Sequence, residues 1–196
     1  MGRPQVGASV LPYGVLDKGR LTASLITLAS RVGVDGVTMR LLAAETGTAP
    51  SSVYYHVKDK GELLDLLIDS VISTIAIPQS GTWVERAEVL YNNAWHALIA
   101  IPGMAVLLQQ RPHTPAANTM NRLTLEILGQ SGLDRGELEA AHAVLYTHLL
   151  GAVGLHHTLQ GMDAVREARR SEATFDYGLR VILAGLQQVS YRPGST

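Results

Sequence analysis

Between Thr48 and Lys60 the chain gathers groups suited to gripping a polyanion: Ser51, Ser52, Tyr54, Tyr55, His56, Lys58 and Lys60, with Arg40 a short way upstream. Hydroxyls can donate or accept at a base edge or a phosphate, and ammonium groups anchor phosphates, fixing register rather than sequence. Arg40 is the one long bidentate donor near enough to compete for a guanine. Ala49 and Pro50 offer only apolar surface, suited to a thymine methyl. Three of these residues have a second reading. Tyr55 is expected to be the half-buried member of the Tyr pair, His56 can serve a local cap, and Lys60 can be an ordinary solvated first-turn residue.

Covalent chemistry is not expected. The chain has no Cys, which excludes disulfides, zinc–thiolate sites and cysteine nucleophiles. His142, His148, His156 and His157 invite a metal reading, but they do not pair at three or four apart on a helix, and no Asp or Glu lies within their run. No nucleophile elbow or clustered catalytic set is present. The chain is read as a non-enzyme without metal or cofactor.

These residues need short helices to carry them. A first helix is expected from Lys18 to Ser30, capped by Asp17, with Leu21, Leu25, Leu28 and Ala29 as its apolar stripe. Gly33 and Gly36 mark a turn. Thr38 is placed to cap a second helix whose Leu41, Leu42 and Ala44 face inward, ending near Gly47. Thr48 is placed to cap a third, from Ala49 to His56, with Pro50 in its tolerant first turn and Val53 as buried anchor. Asp59 and Glu62 suit a capping box on a fourth helix, a connector over 60–76. Beyond Thr82 the pattern predicts helices at roughly 83–100, 104–110, 115–131, 136–158 and 170–189, with no sustained strand alternation. The fold class is all-α: residues 17–62 form a three-helix domain with a helix-turn-helix, residues 63–196 a helical bundle, and residues 1–16 an arm able to touch a phosphate through Arg3.

Charge follows the same division. Residues 1–60 hold seven Lys/Arg against four Asp/Glu, a net of +3, while the remainder holds nine against thirteen, a net of −4. A basic head on an acidic body confines backbone contacts with nucleic acid to one end. The stretches Val89–Gln110 and Ala140–Met162 lack charged side chains and approach spanning length. Asn92, Asn93, His96 and Pro102-Gly103 in the first, and His142, His148, His156, His157 and Gln160 in the second, are costly in hydrocarbon. These stretches are read as helices buried in the body or in a subunit interface, with no membrane partner.

The stretch Leu21-Thr22-Ala23, Val37 to Ala43, Gly47 to Lys60 and Leu63-Leu64 resembles the tetracycline-repressor family over about residues 17–72. That resemblance implies a cytoplasmic, bacterial, dimeric, all-helical regulator, in which a small ligand entering the body spreads two DNA-binding heads. It places groove contacts on Arg40, Pro50, Ser51, Ser52, Tyr54, Tyr55, His56 and Lys60; Ala49 and Lys58 join them from the residue reading. Pro50 stands where the repressor that gives the family its name reads adenine with Gln, so a different operator is implied.

The body resembles that repressor's C-terminal domain in the order of Trp83, Asn92-Asn93, Gly103, Arg111-Pro112 and Gly151 to Gly154. Two drug- and magnesium-contacting His positions become Ala76 and Leu107, and a Thr becomes Gln110, implying a less polar ligand that is not a metal chelate. The pocket is expected among helices 83–100, 104–110, 115–131 and the connector, with Asn92, Trp95, His96, Met104, Leu107, Gln110, Arg111 and His148 as ligand contacts and Arg111-Pro112 at a coupling position. Helices Ala140–Leu159 and Phe175–Val189 are expected to form the homodimer. The expected function is a ligand-released repressor on a palindromic double-stranded DNA operator. An activator or ligand-independent regulator of the same fold is the alternative, and a small-molecule-binding helical protein without DNA binding the more distant one.

Overall fold

The computed structural model describes residues 16–158 and 164–190; the expected arm, with Arg3, lies outside them apart from Leu16. Among the described residues the chain is helical throughout. Helix α1 (Lys18–Gly36) starts as the sequence predicts, with the Asp17 carboxylate accepting the Arg20 N–H at 2.8 Å. Leu21, Leu25, Leu28 and Ala29 are buried. It does not stop at Ser30. Its path bends at Gly33, which takes φ 71°, and Val34 donates its N–H to the Pro102 carbonyl at 2.9 Å. Gly103, at φ 88°, lies against Val34, where an added Cβ would meet the Val34 Cβ at 3.2 Å. Two residues without side chains thus let the last turn of α1 dock on a loop of the body.

Helix α2 (Met39–Thr46) is capped by Thr38, whose hydroxyl accepts from Leu41 N–H at 3.2 Å, and it ends at Gly47. Its inward face is Met39, Leu42, Ala43 and Thr46. Leu41 and Ala44 are exposed, contrary to expectation. A helix of two turns has too few apolar positions to fix its rotation from spacing alone. Helix α3 (Pro50–His56) also corrects the sequence reading. Thr48 does not cap it, because its hydroxyl bonds that of Thr46 at 2.8 Å. Ala49 occupies the cap position without a side-chain bond, and Pro50 opens the helix needing no N–H partner. Val53 is its one buried residue.

Helix α4 (Lys60–Ile72) is half of the expected capping box. Asp59 accepts from Glu62 N–H at 2.9 Å, but the Glu62 carboxylate reaches one residue past the cap, to Lys58 N–H at 2.7 Å. It ends four residues short of the expected connector. It packs on α1 on one side and on α5 (Trp83–Ile99), α6 (Met104–Gln110) and α7 (Pro115–Leu128) on the other. Thr82 and Glu85 form a complete capping box on α5. A single 3₁₀ turn over 129–131 follows α7, then α8 (Arg135–Thr158) and α9 (Ala164–Ser190) lie side by side. Helix α9 starts six residues before the predicted 170.

The buried apolar cluster is continuous from Leu16 to Leu183, so head and body share a core. In the body Trp95 stacks on Phe175 with ring centroids 4.6 Å apart, and His148 stacks on Phe175 at 5.3 Å. Helix α8 is long and apolar enough to cross a membrane, yet only 28% of its most apolar window is buried. Val144 and Leu155 on α8, with Tyr177 and Val181 on α9, stay about half or more exposed. Burial inside the body therefore does not account for the uncharged run.

Candidate DNA-reading surface and effector cavity

Helix α3 has one side chain in the core and six that are not. With Val53 as pivot, Pro50, Ser51, Tyr54 and Tyr55 face outward, and Ala49, Ser52 and His56 are half-buried. Tyr54 is 53% exposed and Tyr55 87%. The expectation that Tyr55 faces inward is therefore reversed: both phenols stand on the surface, Tyr55 the more so. Its ring meets that of His56 edge-on at 5.4 Å.

His56 points the other way. Its Nε2 donates to the Leu16 carbonyl at 2.7 Å, so it ties the chain entering α1 to the end of α3, a non-local link and not a local cap. Arg40 is exposed and has no ion-pair or hydrogen-bond partner among the described residues. Four other head cations are committed. Arg20 donates to the Thr46 carbonyl at 2.8 Å, and Arg31 pairs with Glu45 at 2.5 Å. Lys58 lies 3.4 Å from Glu62. The Lys60 ammonium donates to the Val37 carbonyl, closing the turn between α1 and α2. An ammonium has three donors, so that bond leaves Lys60 able to meet a phosphate as well. Hydroxyls, two phenols and an uncommitted guanidinium thus stand exposed or half-buried on α2 and α3 of the head.

The second feature lies under α4. A cavity of about 110 Å³ is lined by Ile72 and Ile75 at the end of α4, by Leu90, Tyr91, Ala94 and Leu98 on α5, and by Leu108 and Pro112 at α6. Ala117, Met120, Asn121 and Thr124 on α7 and His142, Tyr146 and Leu149 on α8 complete it. No Lys, Arg, Asp or Glu lines it. Burial pushes the Tyr91 phenol well above its ordinary value, with Tyr146 nearby adding to the shift, and burial raises Tyr146 too. Burial also lowers His142 from the ordinary imidazole value of 6.5, favouring the neutral ring at pH 7.

None of the eight residues expected to touch a ligand lines this cavity. Trp95 and His148 belong to the aromatic layer around Phe175. Met104 and Leu107 are buried, Asn92 is half-buried, and the exposed His96 lies 3.9 Å from Glu172. Gln110 and Arg111 line a separate open notch with Asp65. Arg111 makes a bidentate pair with Asp65 of α4, at 2.5 and 2.7 Å. That hydrogen-bonded guanidinium holds the Asp65 carboxyl below its usual range. One turn on, Asp69 accepts the Ala116 N–H at 2.9 Å, capping the start of α7. Among the described residues no three His, Asp or Glu cluster to hold a metal.

Sequence reasoning missed Tyr91, Asn121, Thr124, His142 and Tyr146 as cavity groups. The signal that could have found two of them is the i, i+4 pair His142 and Tyr146, two polar rings one turn apart within an uncharged run.

Residues 21–67, most of the head from within α1 into α4, match the family described as bacterial regulatory proteins, tetR family. The chain belongs to that family. Among its relatives is the HTH-type transcriptional repressor DrrR1 of Streptomyces coeruleorubidus, 29% identical over 168 residues. That alignment covers 84% of this chain and 62% of DrrR1, so the chain spans less than two thirds of this relative's length. Two solved structures share the tetR-family fold. A TetR variant from Acinetobacter baumannii AYE in complex with minocycline superposes with a TM-score of 0.74 at 22% identity, over 89% of this chain and 98% of that one. BioQ with its natural double-stranded DNA operator gives 0.70 at 20% identity, over 88% and 99%. The tetR-family head in this chain is a DNA-binding helix-turn-helix, with α2 and α3 as its two helices.

Proposed function

We propose that this tetR-family chain is a homodimeric repressor that binds a palindromic operator and is released when a small apolar effector enters the cavity beneath α4. One observation carries the reading: the helix that leaves the DNA-reading surface at Lys60 is the helix whose far end, Ile72 with Ile75 beyond it, walls the cavity. Anything that moves the cavity wall moves α4, and α4 packs on α1 of the head. Known relatives fit the same pattern. DrrR1 is a repressor, BioQ is seen on a DNA operator, and the TetR variant holds minocycline.

Groove contacts are assigned to Arg40, Ala49, Pro50, Ser51, Ser52, Tyr54 and Tyr55, with Lys58 and Lys60 on the flanking phosphates. His56 supports α3 from behind through Leu16. The exposed apolar faces of α8 and α9 supply the dimer. Val144 and Leu155 on one helix and Tyr177 and Val181 on the other are half or more exposed beside Gly151 and Gly185, and a second copy of the same pair would cover them as a four-helix bundle. A two-fold axis there turns two α3 helices toward successive major grooves, about one helical turn apart.

Induction requires the effector to prefer the head spacing that does not fit DNA; equal affinity for both spacings shifts nothing. The test is selection of bound duplexes from random DNA, followed by anisotropy titration of the selected duplex. The expected outcome is an inverted repeat bound by two protomers. Recovery of only non-repeated or non-specific sequence would sink the reading.

A further inference from the structure

The cavity has a chemical character more specific than apolar. Fifteen residues line it, and none carries a formal charge at neutral pH. Burying an ion there would leave it without a counter-charge, which costs far more than burying a neutral polar group. Yet the cavity is not inert. Tyr91 is only 5% exposed, and its phenol has no hydrogen-bond partner among the described residues. That hydroxyl is not one of the fully enclosed polar atoms left unpartnered, so it keeps access to the cavity on whose wall it sits and can take a partner from there. Tyr146 and His142, also on the wall, have no hydrogen-bond partner among the described residues either. Their rings lie parallel, 6.1 Å between centroids and 9° between planes. Thr124 already donates to the Met120 carbonyl at 2.9 Å, so its oxygen is left as an acceptor.

The rest of the wall is apolar except for the Asn121 amide, and it includes the Met120 thioether. A thioether and a parallel ring pair favour a flat π-system over a saturated one. A volume of about 110 Å³ is close to that of a cavity known to take a single aromatic ring. A single ring fits the space as it stands, and a second fused ring enters only by moving the wall, the movement that release through α4 requires.

We infer that the effector is an uncharged aromatic molecule of one or two fused rings, bearing a hydroxyl or carbonyl oxygen that hydrogen-bonds to Tyr91 and Tyr146. This rests on the reading that the cavity beneath α4 is the effector site. The rings fill the space between α5, α7 and α8. The oxygen supplies the partner that the Tyr91 phenol lacks.

Isothermal titration of the full chain with four probes tests this: 2-naphthol, naphthalene, 2-naphthoate and the saturated 2-decalol. The expected order is 2-naphthol tightest, naphthalene weaker by roughly three- to tenfold for each lost hydrogen bond, and naphthoate weaker by roughly a hundredfold or more. Tyr91→Phe and Tyr146→Phe should each bring 2-naphthol toward naphthalene while leaving naphthalene unchanged, which a merely structural role would not do. Melting of each variant by circular dichroism shows that the fold is kept. Naphthoate binding as tightly as 2-naphthol, equal binding of 2-decalol, no effect of either Tyr→Phe change, or no binding by any probe would each overturn the inference. Operator release is measured separately by anisotropy. Binding of 2-naphthol without release contradicts the regulatory reading and leaves the ligand class standing.

Discussion

The head and the body of this chain treat their polar groups in opposite ways. On the head, Tyr54 and Tyr55 stand in solvent and Arg40 is unpaired among the described residues, while the cations that hold the fold are bonded to carbonyls and carboxylates. In the body, Tyr91 and Tyr146 are withdrawn from solvent around a cavity with no charge at all. The same residue type does different work in each place. A surface phenol with free rotation suits a phosphate that arrives from outside, whereas an enclosed phenol without a partner suits a neutral oxygen that must leave water to reach it. Between the two lies α4, tied to the body by the Arg111–Asp65 pair and the Asp69–Ala116 bond and to the head through α1.

If the two regions differ in chemistry but share one core, removing the centre of the body should unfold both. Trp95→Ala, which breaks the stack on Phe175, is expected to lower stability by about 3–5 kcal/mol and to keep a single melting transition. Two resolved transitions, with the head melting at its original temperature, would show that the continuous cluster does not couple them. On the head, the outward groups should affect DNA and not folding. Arg40→Ala and Tyr54→Phe should weaken operator binding, the former by about 1–3 kcal/mol if it reads a base, with melting temperature unchanged. A large drop in melting temperature would place them in the core instead.

Arg111→Ala tests the joint. The pair is a third or more exposed at both partners, so little loss of stability is expected. The expected change is that cavity ligands still bind but release the operator less well. Lys60→Ala is expected to have a double effect of smaller size. It removes the bond to the Val37 carbonyl and, as a phosphate anchor, lowers the slope of log affinity against log salt by about one. Lost stability with an unchanged salt slope would reduce Lys60 to the structural half of that role.

Burial lowers His142 and His157, with His156 nearby adding to the shift at His157. The unfolded chain therefore binds more protons than the native one once pH falls below about 6.5, the ordinary imidazole value. Their contribution is complete above that pH and is lost as pH falls toward the depressed native values. The melting temperature should drop between pH 7 and pH 5.5, and His142→Gln should flatten part of that drop. No change in slope would remove His142 from the account.

The head was largely legible in the sequence because its signals are local. Asp17, Thr38 and Asp59 each cap within three residues, and Val53 is the one strongly apolar side chain that α3 can bury. What failed there was the Thr48 cap, the second half of the Asp59–Glu62 box and rotation: Leu41, Ala44 and Tyr55 are misplaced because helices of one or two turns offer too little periodicity. The cavity was legible as a place, since the expected pocket lies among helices 83–100, 104–110 and 115–131 and the connector, and the lining draws on all four; its individual residues were not. Its lining is drawn from five helices and the segments beside them, between positions 72 and 149, and no local spacing links Ile72 to Thr124 or Leu149. The eight expected ligand contacts followed a resemblance, and the structure puts them in the surrounding core, surface and hinge. Folding brings the five segments together, and lining residues are close in the chain only within one segment, as His142 and Tyr146 are.

The absence of Cys allows a direct measurement on the whole arrangement. A single Cys at exposed Ser30 of α1, spin-labelled, reports one distance between the two heads of a dimer. Double electron–electron resonance with the selected operator duplex should give one narrow distribution, and addition of a releasing aromatic ligand should replace it with a different or broader one. Absence of dipolar coupling, or the same distribution with and without operator and ligand, would contradict a dimer whose head spacing is set through α4.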